Sequence, residues 1–88
     1  MTIPGNVVHI GFSAFSRCTE LVSLTIREGV RTIGSYAFEG CEKLTSVVIP
    51  DSVFAIDNYA FTESGLERIV IPNGTAVRRF ALRELPEA

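Results

Sequence analysis

The fold this sequence predicts is an α/β solenoid, a stack of short coils, and three observations carry it. The same phrase occurs three times: Ile10-Gly11-Phe12-Ser13-Ala14-Phe15, Ile33-Gly34-Ser35-Tyr36-Ala37-Phe38 and Ile56-Asp57-Asn58-Tyr59-Ala60-Phe61. The leading isoleucines are 23 residues apart both times, a fixed period in the range of solenoid repeats. Between the phrases lie segments that alternate apolar and polar residues at the period of two that a strand requires. One coil of this length cannot bury its own apolar side chains, so equal positions of successive coils must stack.

With 88 residues the chain has room for one domain. In register it divides into coils 3–25, 26–48 and 49–70, a partial coil 71–83, and a tail 84–88. A predicted strand crosses each boundary between coils, at 21–26, 44–49 and 66–71, with Leu24 and Ile26, Val47 and Ile49, and Ile69 and Ile71 turned inward. Pro50 and Pro72 end two of these strands because proline has no amide hydrogen to continue a ladder. Arg27 stands where the other coils have proline. The return side holds Val7 and Ile10, Val30 and Ile33, and Val53 and Ile56, a spacing that suits a short extended segment. The Ala-Phe pair follows, then Cys18, Cys41 or Ser64. That segment is too short for an independent α-helix, and a single helical or 3₁₀ turn held by the buried Phe is predicted.

Stacking sorts the residues into rows. Leu21, Leu44 and Leu66 form one, and Phe15, Phe38, Phe61 and Leu82 another. Ala14, Ala37, Ala60 and Ala81 stay small so that the Phe row can close. Tyr36, Tyr59 and Phe80 share a column, read here as sealing the core, with an aromatic strip for carbohydrate or peptide as the other reading. Coil three is one residue short, and the gap is placed beside Thr62-Glu63-Ser64-Gly65, where a surface turn tolerates deletion.

Composition excludes several classes. Eight basic and ten acidic residues are mixed along the chain, for a net charge of −2, so there is no clustered basic footprint for nucleic acid. No run approaches the roughly 20 apolar residues of a membrane helix, so no membrane insertion is expected. Residues 1–5 show neither the basic nor the apolar region of a secretory signal. Cys18 and Cys41 fall on adjacent coils and are read as free, buried thiols rather than a disulfide or metal site. His9, the one histidine, is expected in solvent, with no nucleophile at fixed spacing. No catalytic, metal or cofactor residue is predicted, and the chain is read as a non-enzyme.

The run formed by Val30, Ile33, Gly34, Ala37, Phe38, Cys41, Leu44, Val47, Ile49 and Pro50 resembles the BspA-type leucine-rich repeat, and the likeness extends from Ile3 to about Leu82. Departures are Arg27 for Pro, Asp57 for Gly, the missing Cys of coil three, and the degraded fourth coil. The resemblance implies a right-handed stack of short parallel strands joined by tight turns. It also implies a display scaffold of a secreted or cell-surface bacterial protein, often adhesive, with a protein partner and no common catalytic residues.

Two functional readings follow. In the first, a protein–protein interaction or adhesion module binds its partner on the outward strand face: Ser23, Thr25 and Arg27, Ser46 and Val48, Arg68 and Val70. Thr25, Val48 and Val70 make a flat, mildly apolar row there. In the second, the chain is a stacking unit or a self-associating rod without an external ligand. Val7, Ile10, Phe12 and Phe15 would face an open end in coil one, while Arg78, Arg79, Arg83, Glu84 and Glu87 would form a modest cap at the other.

Overall fold

The computed structural model describes residues 1–82. Eight short strands occur in chain order: β1 (Thr2–Ile3), β2 (His9–Ile10), β3 (Thr25–Ile26), β4 (Thr32–Ile33), β5 (Ser46–Val48), β6 (Ala55–Ile56), β7 (Arg68–Val70) and β8 (Ala76–Val77). All pairings are parallel and link like positions of neighbouring coils. Parallel strands need a long connection between them, and here one turn of the solenoid provides it.

The pairing register records the coil length. Ile10 faces Ile33 and Ile33 faces Ile56, steps of 23 residues. Val47 faces Ile69, a step of 22, and Ile56 faces Val77, a step of 21. The first shortening lies at Gly65, whose N–H donates to Cys41 O at 3.2 Å. A Cβ there would meet Glu42 O at 2.2 Å, so only glycine lets the shortened turn press against the coil beneath it.

Alternating apolar residues bury the interior. Ile3, Ile10, Leu24, Ile26, Val30, Ile33, Leu44, Val47, Ile49, Val53, Ile56 and Leu66 are buried. The Phe row stacks: Phe15 and Phe38 have ring centroids 5.4 Å apart and Phe38 and Phe61 5.3 Å, each pair within 10° of parallel. Ala37, Ala60 and Ala81 are fully buried beside it, and Leu82 packs partly against the same core.

Three expectations are corrected. First, the segment around each Ala-Phe pair is not helical; no helix occurs among the described residues. Instead N–H groups alternate their partners. Ala37, Glu39 and Cys41 donate three residues back, to Gly34, Tyr36 and Phe38, while Phe38 and Gly40 donate to Ala60 and Thr62 of the next coil. Coils one and three repeat this pattern. A helix would keep every bond inside one coil; alternation lets the same segment bond to its neighbour. It requires two left-handed residues per coil, and φ is positive at Ser13, Tyr36 and Tyr59 and again at Arg17, Gly40 and Glu63. In every inter-coil bond of this turn ladder the earlier coil donates, as in Ser13 to Ser35, Phe15 to Ala37, Tyr59 to Phe80 and Phe61 to Ala81.

Second, the more extensive sheet is on the return side. There β2, β4, β6 and β8 form one four-stranded sheet, whereas the predicted strands reduce to two separate pairs, β1 with β3 and β5 with β7. The two cysteines also part company. Both are free, but Cys41 is buried and Cys18 is exposed, because coil one lies over Cys41 and no described coil lies over Cys18. Of the expected cap, Arg83, Glu84 and Glu87 lie outside the described residues.

Candidate functional site

All seven residues of the predicted binding face are exposed. Four sit together on the β5–β7 sheet: Ser46 faces Arg68, and Val48 faces Val70. The two valines are 64% and 53% exposed, an uncompensated apolar pair. Ser23, Thr25 and Arg27 belong to the β3 side, where Thr25 pairs with Thr2 of β1. The face is therefore divided between β3 and β5.

One bond of the ladder is missing at the division for a covalent reason. Thr25 and Arg27 donate to Met1 O and Ile3 O, closing the ladder between the first two coils. The counterpart of Arg27 in the next coil is Pro50, which has no N–H to offer Ile26 O; Pro72 stands likewise after β7, where β5 and β7 still pair, so the lost bond accompanies the division without causing it alone. Alternation of the backbone then fixes what faces the break. Thr25 and Arg27 bond toward β1, and Thr45, Val47 and Ile49 bond toward β7. Leu24 and Ile26 on one side, and Ser46 and Val48 on the other, therefore turn their N–H and C=O groups toward each other without bonding across.

Between them lies a cleft of about 470 Å³, lined by Leu24, Thr25, Ile26, Glu28, Ser46, Val47, Val48 and Pro50. Glu28 closes one end. Its two carboxylate oxygens accept from Asp51 N at 3.0 Å and Ser52 N at 3.1 Å. Ser52 Oγ accepts from Gly29 N at 3.0 Å and donates to Val30 O at 2.7 Å, so the coils rejoin just past the cleft.

Other side chains that chemistry might use are engaged structurally. Cys41 Sγ donates to Phe15 O at 3.2 Å. Burial pushes its thiol above the ordinary value of 9.0, outweighing a backbone hydrogen bond at Cys18 that lowers it, with the Glu39 charge adding a little to the rise, so at neutral pH it is a protonated, unreactive thiol. His9 is exposed and its Nδ1 contacts Thr32 Oγ1 of the next coil. Glu39, nearly buried, accepts from Ser16 Oγ at 2.6 Å and pairs with Arg17 at 3.6 Å. Sequence reasoning missed this polar contact; its signal was the Glu between Phe38 and Gly40. No group of three or more potential metal ligands occurs among the described residues, and no helix among them is long and apolar enough to cross a membrane.

The aromatic column is continuous. Tyr36 stacks on Tyr59 at 5.2 Å and Tyr59 on Phe80 at 5.4 Å, both at 17°, and Phe12 meets Tyr36 in a T-shaped contact at 5.8 Å. The rings cover one another's faces, and a sugar needs a free face to stack on. The column is half-buried, and the carbohydrate reading loses its geometry.

Short in-register parallel strands, a stacked Phe row and a bonded turn ladder define a parallel-β solenoid with no enzyme-like constellation in its described part. A protein-family model described as a BspA type leucine rich repeat region (6 copies) matches residues 1–83, and the chain belongs to that family. No curated protein and no solved structure matches the chain. The family is associated with cell-surface proteins and its repeats mediate contacts between proteins.

Proposed function

We propose that this chain is a non-catalytic scaffold that binds a protein partner on its strand face, within a secreted or surface-displayed protein. The single observation that carries the reading is the exposed Val48–Val70 pair on the β5–β7 sheet, beside the Ser46–Arg68 pair. β-Branched residues are favoured in strands for packing against a surface, yet these two have nothing over them. A partner that covers them gains roughly 1–1.5 kcal/mol for each valine, the part of a full burial that their present exposure leaves.

The test uses protein fragments displayed on phage and selected on the folded chain. Thr25→Glu, Val48→Glu and Val70→Glu are combined in one variant. The selected clones should lose binding to that variant while its far-UV circular dichroism stays that of the parent. Retained binding refutes the face.

A second reading rests on a different surface. Phe12 is 74% exposed, and Ile3, Val7, Ile10 and Phe15 line an apolar recess of about 370 Å³ on the outer side of coil one. A further coil set against it would bury this recess as coil one buries its counterpart in coil two. Sedimentation at rising concentration separates the readings: a constant mass leaves the partner-binding scaffold, and growing mass supports stacking.

A further inference from the structure

We propose that Asn73-Gly74 is a self-modifying site, at which the folded chain deamidates, reroutes its main chain through an isoaspartyl link and so loosens coil four.

The site is the tip of the turn that leads into β8. Asn73 and Gly74 are both exposed, and Thr75 N–H closes the turn onto Pro72 O at 3.2 Å. Deamidation needs the amide nitrogen that follows an asparagine to reach the carbonyl carbon of its side chain. That nitrogen must carry no hydrogen bond that has first to break, and no side chain may shield it. Gly74 meets both conditions. Its N–H has no acceptor among the described residues. It has no Cβ, and one placed there would meet nothing within 4 Å. An exposed turn tip also has room to swing into the reacting geometry.

The repeat explains why this nitrogen is free. Its counterparts in the two preceding coils are Gly29 and Ser52. Gly29 N donates to Ser52 Oγ at 3.0 Å, and Ser52 N donates to a Glu28 carboxylate oxygen at 3.1 Å. Where coil two has Glu28, coil three has Asp51, a carboxylate on a shorter stem, and Gly74 N–H finds no acceptor on it.

The chain's two other asparagines serve as internal controls, since Asn6 and Asn58 are exposed as well. Asn6 is followed by β-branched Val7, whose N–H donates to Pro4 O at 3.0 Å. Asn58 is followed by Tyr59, whose N–H donates to Phe80 O at 3.0 Å.

The reaction consumes only water. Hydroxide removes the Gly74 amide proton, and the nitrogen's electron pair forms a bond to Asn73 Cγ. The bond from Cγ to the carboxamide nitrogen breaks, and that nitrogen takes a proton from water and leaves as ammonia. The resulting cyclic imide is opened by a second water at either carbonyl, giving aspartate or isoaspartate. Nothing is oxidised or reduced. The isoaspartyl product adds an atom to the main chain of the turn and a negative charge beside it. Just past the turn, Thr75 Oγ1 donates to Val53 O at 2.7 Å and Ala76 N to Phe54 O at 2.8 Å. These bonds begin the seating of coil four on coil three, which ends with Phe61 N donating to Ala81 O at 3.0 Å. A longer turn shifts the start of that ladder out of register.

The folded chain is held in mildly alkaline buffer below its melting temperature, then digested and followed by peptide mass spectrometry. An isoaspartate-specific methyltransferase counts the rerouted product. Asn73 should react about tenfold or more faster than Asn6 or Asn58, whose following N–H groups are bonded and shielded. Gly74→Val should slow the reaction by a similar factor. Gly74 φ lies outside the left-handed region and its Cβ position is open, so the valine strains nothing. Gly74→Ser copies Ser52 and keeps the measurement in hand should the valine variant fail to fold. The isoaspartyl chain should melt lower by about 4–8 °C, the size of one lost hydrogen bond in a domain this small. Asn73→Asp, which carries the charge on an ordinary main chain, should melt with the parent.

Asn73 reacting no faster than the other two asparagines overturns the site, as does a folded Gly74 variant that reacts as fast as the parent. An isoaspartyl chain that melts with the parent, or an Asn73→Asp chain that melts as low as the isoaspartyl one, overturns the loosening by a rerouted main chain.

Discussion

Replacing Phe38 with alanine should be among the most damaging single changes in the chain, and the structure sets its size. Phe38 is fully buried. Its ring lies between Phe15 at 5.4 Å and Phe61 at 5.3 Å, nearly parallel to both. Truncating a buried Phe costs about 3–5 kcal/mol, more where the surroundings cannot collapse. Collapse is obstructed here: Ala37 and Ala60 are already small, and the backbone is pinned by Phe38 N to Ala60 O at 2.7 Å and Phe15 N to Ala37 O at 2.8 Å. The loss should therefore reach about 4–5 kcal/mol, a large part of the roughly 5–15 kcal/mol that holds a small domain together. Urea unfolding followed by far-UV circular dichroism measures it, at unchanged m-value. Phe38→Leu, expected to cost about 1.5 kcal/mol, keeps the measurement in range if the alanine variant does not fold. A loss under about 1 kcal/mol for Phe38→Ala would refute the stacked row as the centre of the core.

Two further outcomes follow from local features. Glu63 is exposed at φ 56°, in the turn position that Gly40 occupies one coil earlier, so Glu63→Gly should hold or raise stability by up to about 1 kcal/mol as the left-handed cost is relieved; a loss of that size in a thermal melt would contradict the turn assignment. The raised Cys41 thiol makes the folded chain hold its proton longer than the unfolded chain, so this contribution is complete below pH 9.0 and declines as pH rises through the thiol's folded value. Cys41→Ala should flatten the alkaline decline in denaturant midpoint, and an unchanged slope would count against burial as its cause.

The stacked rows were legible in the sequence because a fixed period leaves little freedom. Once Ile10, Ile33 and Ile56 are aligned, Phe15, Phe38 and Phe61 must stack, and the shortening beside Gly65 shows as one missing residue. The turn ladder was not legible. Five of its six left-handed positions hold Ser, Arg, Tyr or Glu rather than Gly, so the usual signal for positive φ is absent. Tyr36 and Tyr59 keep that conformation because the stacked column fixes them, and a short segment carries no trace of whether its N–H groups turn inward or to a neighbour.

The divided strand face was half legible. Arg27 was read as a tolerated substitute for proline, with Pro50 as the rule. The ladder adds one detail: the N–H of Arg27 bonds Ile3 O, a bond that Pro50 cannot make, although β5 and β7 pair with Pro72 standing after β7. From a single chain, side-chain alternation shows which residues face outward but not which main-chain groups find partners, because that depends on the coil above and the coil below together.

The forward direction of the turn-ladder bonds gives the solenoid an electrical sense. Between the two left-handed residues of each turn the bonded inter-coil amides point their N–H toward the later coil, with Gly65 just beyond pointing back to Cys41, so the small dipoles add in a column, as they do along a helix axis. In the ladders of the flat sheets donors run both ways and largely cancel. The stack therefore carries partial negative charge toward coil one and partial positive charge toward coil four. Two such stacks lying side by side are drawn into opposite orientations, and two meeting along one axis into the same orientation.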